Sequence, residues 1–258
     1  MDAIVTAGGI PKPGELLYPY TQGKSKALLD VAGKPMVQWV LDALSGAEKI
    51  NNVILIGLTQ DSGVTCDKPL FYMENQGGML SNILAGVNKA LELNAATKHV
   101  LIVSSDIPGI RSEMVDWVIE AALQTDEDVY YNLIERSVME KRYPGSKRSF
   151  TRLKDVEVCG GDMNVISTAT VKKDRMIWDK LIETRKNIFK QAALIGYDTL
   201  FLLATRLITL NQAIERVCRK LNIRGRVILC PYAEVGMDVD KPHQLEMMRL
   251  DMERRAVV

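Results

Sequence analysis

Residues 3–7 read Ala-Ile-Val-Thr-Ala and stop at Gly8-Gly9. Apolar side chains at consecutive rather than alternate positions predict a strand buried on both faces. Such strands belong to parallel sheets covered by helices on each side, so this short run already points to the α/β class. Comparable runs follow at 52–57, 100–106 and 226–230, with shorter candidates at 70–72 and 128–134.

Helical patterns fill the gaps. Residues 35–44 carry Pro35 near the start and apolar residues at helical spacing. Residues 79–93 place Leu80, Ile83, Leu84, Val87 and Leu91 on one side. Ser112 is the expected cap of a helix reaching about Gln124, with Glu113 and Asp116 in its first turn. Residues 8–25 predict an irregular loop, because Pro11, Pro13, Gly14, Pro19 and Gly23 oppose regular structure. Later helical patterns cover 173–190, 199–203 and 210–221, and a charged helix closes the chain. The alternation predicts an α/β fold with a parallel sheet covered by helices on both faces.

With 258 residues, 47% of them hydrophobic, the chain can bury a core without staples. No linker or repeat divides it, so residues 1–258 are expected to form one domain. A net charge of +1 gives no general attraction to nucleic acid or anionic membrane, so any anion site must be a local cluster. Cys66, Cys159, Cys218 and Cys230 form no CxxC pair and lie far in sequence from His99 and His243, which predicts reduced buried thiols. No basic-then-apolar leader precedes the first strand, and the apolar stretch 199–210 is short and broken by Arg206. A cytoplasmic protein without a transmembrane segment is expected. Phe201-Leu202-Leu203 reads as core or as a subunit contact, which leaves a homodimer open.

In parallel sheets ligands sit beyond the carboxyl ends of the strands. Gly8-Gly9 and Asp106 both fall at such ends. Glycines let backbone N–H groups approach phosphate oxygens, and a lysine such as Lys26 supplies countercharge. Taken singly, the glycine pair is an ordinary turn and Lys26 a solvated lysine. Asp106 is a helix cap or a magnesium ligand, and Pro108 favours a fixed turn there. Residues 136–154 collect Arg136, Lys141, Arg142, Lys147, Arg148, Arg152 and Lys154. That stretch is a solvated insertion or a hold on an anionic ligand. Tyr143 and Phe150 are too few for a nucleic-acid stacking platform.

Taken together, the motifs resemble a known family. Ala7-Gly8-Gly9 followed by Lys26-Ala27-Leu28-Leu29 and Gly33-Lys34-Pro35 resembles the opening of nucleotidyltransferases with the glycosyltransferase-A-like fold. Those include sugar-1-phosphate nucleotidyltransferases, the cytidylyltransferase of isoprenoid synthesis and the molybdenum-cofactor guanylyltransferases. Ser105-Asp106-Ile107-Pro108 resembles the family's Asp-x-Pro metal motif, Gly160-Gly161-x-x-Asn164 its acceptor-side glycines and asparagine, and Asp238-Val239-Asp240-Lys241-Pro242 its closing motif.

The resemblance implies a three-layer α/β/α Rossmann-like sandwich with a mostly parallel mixed sheet, and an enzyme that moves a nucleoside monophosphate from a nucleoside triphosphate to a phosphorylated small-molecule acceptor, with pyrophosphate released. The acceptor would be a cofactor precursor, a sugar phosphate or a polyol phosphate. It implies magnesium (or manganese) on Asp106 and on one of Asp238 and Asp240, with Asp238 preferred because Asp240 is placed to cap the last helix. It implies catalysis by Lys26 and Asp106, and a nucleotide held by Ala7, Gly8, Gly9, Lys26, Gln76, Gly77, Gly78 and Ser81. The acceptor would meet Arg148, Arg152, Gly160, Gly161 and Asn164. Residues 1–134 would then be the nucleotide half and 135–258 the acceptor half, with 136–154 as a basic insertion. The family's first-loop arginine is missing, since Gly9 is followed by Ile10-Pro11-Lys12-Pro13. Lys12, Lys24 and Arg148 are the candidates to replace it. Alternatives are a metal-dependent glycosyltransferase using a nucleotide sugar and a non-catalytic nucleotide-binding module.

Overall fold

Strand β1 (Asp2–Thr6) lies in the middle of a sheet that runs across the molecule. The structure is a computed structural model and describes residues 1–173 and 197–256. Among these, β1 pairs in parallel with β4 (Val53–Ile56) on one side and with β6 (His99–Ser104) on the other. β4 in turn pairs in parallel with β5 (Leu70–Met73). This is the all-parallel half that the consecutive apolar runs required.

The second half changes direction. β6 pairs antiparallel with β10 (Met163–Ser167), and β10 pairs antiparallel with β7 (Val129–Glu135). β7 also carries β9 (Glu157–Gly160) antiparallel and β11 (Gly225–Leu229) parallel, and β8 (Thr151–Arg152) adds to β9. The sheet is therefore mixed. Two-residue strands β2 (Asp30–Val31) and β3 (Lys34–Pro35) form a separate ribbon.

Side chains alternate across the sheet, so each strand feeds two cores. Ala3, Val5, Leu101 and Val103 face a large core with α2 (Met36–Gly46), α4 (Ser112–Ala122) and α9 (Pro242–Ala256). Ile4, Ile54 and Val100 face a smaller one with α3 (Met79–Leu93) and α6 (Thr168–Lys173). Each fully buried Ile or Leu contributes about 1.5–3 kcal/mol. The layers are helix, sheet and helix, as expected. A third cluster on Leu153, Val158 and Ile208 takes in Leu202 and Leu203 of α7 (Tyr197–Ala204) and Ala213 of α8 (Leu210–Leu221), while Phe201 stays 64% exposed.

Several local expectations need correction. The loop 8–25 contains a short helix, α1 (Tyr18–Thr21), because Pro19 sits in its first turn, where its missing N–H costs nothing. Ser112 is the first residue of α4, not its cap. Extended Arg111 precedes it, and no side chain caps that end. Residues 136–154 are no loose insertion: Arg136–Arg142 form helix α5. The four cysteines are free, but Cys66 and Cys218 are only half-buried. The expected helix 173–190 lies almost wholly outside the described residues. Among those described, no helix is long and apolar enough to cross a membrane.

Candidate functional site

The site begins where β1 ends. The Ala7 N–H donates to the Ile56 carbonyl at 2.8 Å. The chain then makes its long excursion and returns to its starting point. The Lys26 N–H donates to the Gly9 carbonyl at 2.8 Å, and the Ser25 hydroxyl to the Ala7 carbonyl at 2.9 Å. A loop closed at its neck fixes Lys26 beside Gly9 regardless of what lies between. Gly8 is tightly enclosed. A Cβ on Gly57 would lie 2.5 Å from Gly8 Cα, and Gly57 has φ +102°, which favours glycine. A Cβ on Gly8 would lie 2.6 Å from the Asn75 amide. That amide donates to the Gly8 carbonyl and accepts from the Gly77 N–H, each at 3.0 Å.

Two cations enter the space beyond, each among carboxylates. Lys26 Nζ lies 2.6 Å from Asp106 Oδ2 and 2.6 Å from Asp240 Oδ1. Burial alone would lower the Lys26 pKa, but the two carboxylates outweigh it and raise it above the ordinary value. Lys26 is therefore a fixed positive charge. Arg148 forms an ion pair with Asp238, lies 3.8 Å from Asp162 Oδ2, and donates to the Gly160 carbonyl at 3.5 Å. Burial, followed by the charge of Asp106, pushes Asp162 up to about 7 against the pull of Arg148. The Val239 N–H donates to the Asp106 carbonyl at 3.0 Å, so the closing segment runs directly beside Asp106. Asp238 and Asp240 flank that contact and serve different cations. The expected capping role of Asp240 is not seen, because its carboxylate goes to Lys26.

Below Lys26 lies a cavity of about 330 Å³ whose walls include Gly8, Gly9, Asn75, Gly78, Asn82 and Asp106. A second cleft of about 210 Å³ shares Gly9 and Lys26 and is walled by Ile10, Leu16 and Asp240. The combination is a glycine-lined hollow at the carboxyl ends of parallel strands, with a buried ammonium at its mouth. Glycine N–H groups of such a hollow can donate to an anionic ligand, with Lys26 as the local countercharge.

The expected residues divide sharply. Gly8, Gly9, Lys26, Gly77, Gly78 and Asp106 all line the cavity, with Ala7 buried behind them. Gln76 and Ser81 are not among its lining residues, and the Gln76 side chain donates back to the Glu74 carbonyl. Arg148 is in the site, but Arg152 lies on β8 and pairs with Glu157. Asn164 spends both amide atoms on backbone, donating to the Gly161 carbonyl and accepting from the Asn132 N–H. Gly161 is needed for packing, as a Cβ there would lie 2.9 Å from the Asn132 carbonyl. The space in front of Gly160 is occupied by the Tyr131 hydroxyl. Arg136 and Arg142 are taken up by Glu140, Glu157, Glu234 and Asp251. Asn82 lines the cavity, and Asp162 and Asn75 stand at the candidate site without having been singled out by sequence reasoning. Asp162 stands directly after the quoted Gly160-Gly161 pair, the one signal available for it.

A mixed α/β sheet with its hollow at the strand ends and a lysine–aspartate pair at the mouth places the candidate site where open α/β sheets bind ligands. Residues 4–173 match the model of the MobA-like NTP transferase domain, and the chain belongs to that family. A probable molybdenum cofactor guanylyltransferase of Thermococcus gammatolerans is 24% identical over 140 residues, covering 54% of this chain and 70% of that one. A hypothetical transferase structure from Thermus thermophilus is 30% identical with a TM-score of 0.80, covering 95% of this chain and 98% of that one. The 4-diphosphocytidyl-2C-methyl-D-erythritol synthase of Anaerococcus prevotii shares the fold, with a TM-score of 0.61 at 12% identity and 98% of each chain covered.

Proposed function

We propose that the protein transfers a nucleoside monophosphate from a nucleoside triphosphate to a phosphorylated small molecule, releasing pyrophosphate. The observation that carries this reading is Lys26, held between Asp106 and Asp240 at the mouth of the glycine-lined cavity. The bond formed joins an acceptor phosphate oxygen to the α-phosphorus, and the bond broken releases the β- and γ-phosphates together.

Each residue then has a definite task. Backbone N–H groups at Gly8 and Gly9 approach the triphosphate, since no Cβ stands in front of them. Lys26 stabilises charge that develops on the oxygen leaving the α-phosphorus, without being reorganised at that moment. Asn75, Gly78 and Asn82 border the base and ribose. Arg148 faces the acceptor phosphate. Positioning and charge neutralisation account for most of the acceleration in such transfers.

The carboxylates fit a divalent cation. Among the described residues, the cations paired with Asp106, Asp162, Asp238 and Asp240 are Lys26 and Arg148, leaving a formal surplus of negative charge. Asp106 Oδ1 is buried without a hydrogen-bond partner. Among the described residues no three metal-ligating side chains converge into an all-protein cage. Magnesium, which keeps most of its waters and needs one or two carboxylates, suits that donor set, with Asp106 and Asp238 as its ligands. When bound it would neutralise the triphosphate and polarise the α-phosphoryl group.

Incubation with each of the four triphosphates, magnesium and a panel of phosphorylated cofactor precursors, sugars and polyols tests the reading. Stoichiometric pyrophosphate with a nucleoside diphosphate-linked product is expected. Transfer from a nucleotide sugar without any pyrophosphate would replace it with glycosyl transfer.

A further inference from the structure

The two cations of the site sit on segments distant in sequence, and one buried side chain joins the backbone of Asp240, a partner of Lys26, to the loop that carries Arg148. Gln244, in the first turn of α9, is 1% exposed. Its Oε1 accepts the Asp240 N–H at 3.0 Å, and its Nε2 donates to the Ser146 carbonyl at 3.3 Å. The amide orientation is fixed by these partners, since a flipped amide would set N–H against N–H and oxygen against oxygen. Asp240 is the residue that grips Lys26. Ser146 lies two positions before Arg148.

The same helix turn supplies two further anchors. His243 Nε2 lies 3.0 Å from the Ser146 carbonyl, which requires that nitrogen to carry the proton, and Lys241 Nζ donates to the Lys147 carbonyl at 3.3 Å. Between them Lys147 is held at φ +52°, a left-handed conformation that a lysine adopts only under constraint. The loop that aims Arg148 is thus fixed from α9. Lys241 follows Asp240 directly and ties the same loop through its ammonium, whereas Gln244 holds the Asp240 N–H and the Ser146 carbonyl through one buried side chain.

We propose that Gln244 is a positioning residue that sets the separation of Lys26 and Arg148, and so the spacing of triphosphate against acceptor. Its nucleotide readout rests on the transfer reading above. Its second readout does not, because it reports the Arg148 guanidinium directly. Arg148 Nε is buried without a hydrogen-bond partner, so its N–H gives an NMR signal sensitive to any shift of the loop.

The two arms can be cut separately in the full-length chain. Gln244→Glu keeps an acceptor for the Asp240 N–H but loses the donor to Ser146. Gln244→Leu loses both. With magnesium and whichever triphosphate the wild type binds, calorimetry should show about tenfold weaker binding for Gln244→Leu and near-normal binding for Gln244→Glu, the loss expected of one buried hydrogen bond. The Arg148 Nε–H signal, assigned by its disappearance in Arg148→Lys, should move in both variants. If Gln244→Leu does not fold, the Glu variant decides alone through that signal. If the wild type binds no triphosphate, the transfer reading fails and the Arg148 signal still tests the positioning role. An unmoved signal in folded Gln244→Glu overturns the proposal, as does equal weakening of nucleotide binding by both variants.

Discussion

Lys26 Nζ lies 2.6 Å from Asp106 Oδ2, joining the end of the first loop to the end of the central strand β6. The lysine side chain is 17% exposed and the aspartate 12%, so neither charge is freely solvated. Cutting such a pair leaves the survivor desolvated and unmatched. Lys26→Met is expected to lower turnover by about 10²–10³-fold, the usual effect of losing one preorganised charge at a developing anion. Lys26→Arg should recover part of it. Initial rates of pyrophosphate release check both, and an active Lys26→Met would remove the lysine from the chemistry.

Gly57 allows the first loop to cross the end of β4. A Cβ there would strike the Gly8 backbone at 2.5 Å, and φ +102° is strained for any other residue. Gly57→Ala should cost about 2 kcal/mol in urea unfolding and weaken triphosphate binding, because Gly8 must move. Gly63, also at positive φ but with open space around it, is the control.

Asp162 carries a pH signature. Its folded pKa is pushed up to about 7 from an unfolded value near 3.8. The native state therefore binds this proton more tightly than the unfolded chain does. The resulting stabilisation is complete below pH of about 4 and is lost as pH rises through about 7. In chelator, wild type should lose stability relative to Asp162→Asn across that window, with a constant difference above it. Thermal melts of the two proteins from pH 4 to 8 measure this. A difference that does not change with pH would mean Asp162 ionises normally.

The basic stretch separates into one site residue and several structural ones. Arg148→Ala strands Asp238 and Asp162, and it should weaken acceptor use by about 10²-fold, as truncating one member of a desolvated charge pair does. Arg152→Ala removes only a half-exposed pair with Glu157 and should change rates by less than about twofold. Acceptor KM values for the two variants distinguish the roles.

That contrast also marks what the sequence reveals. The strands of the first half are legible because burial on both faces leaves unbroken apolar runs such as 53–56. Gly8, Gly9 and Asp106 are legible because they stand just beyond strand ends where ligands bind, and Lys26 because Lys-Ala-Leu-Leu follows the glycine pair along the chain. Arg148 cannot be told from Arg136, Arg142 or Arg152 in sequence. What separates them is which acidic partner folds beside each, and Glu157, Glu234 and Asp251 are remote or unremarkable along the chain. Asp162 is hidden for a related reason. It sits in the break between β9 and β10, where its carbonyl accepts the Ser104 N–H at 2.9 Å, and the pairing of β10 along β6 brings it beside Asp106. Pro19 misleads because proline opposes a helix interior yet suits a first turn.

The central claim is a triphosphate site built on Lys26 and Asp106, and calorimetric titration of the four triphosphates with and without magnesium tests it most directly. The account predicts that at least one triphosphate binds wild type in a magnesium-dependent manner, and that Asp106→Asn abolishes the magnesium dependence. Triphosphate binding that is the same in both proteins, or independent of magnesium, would contradict it.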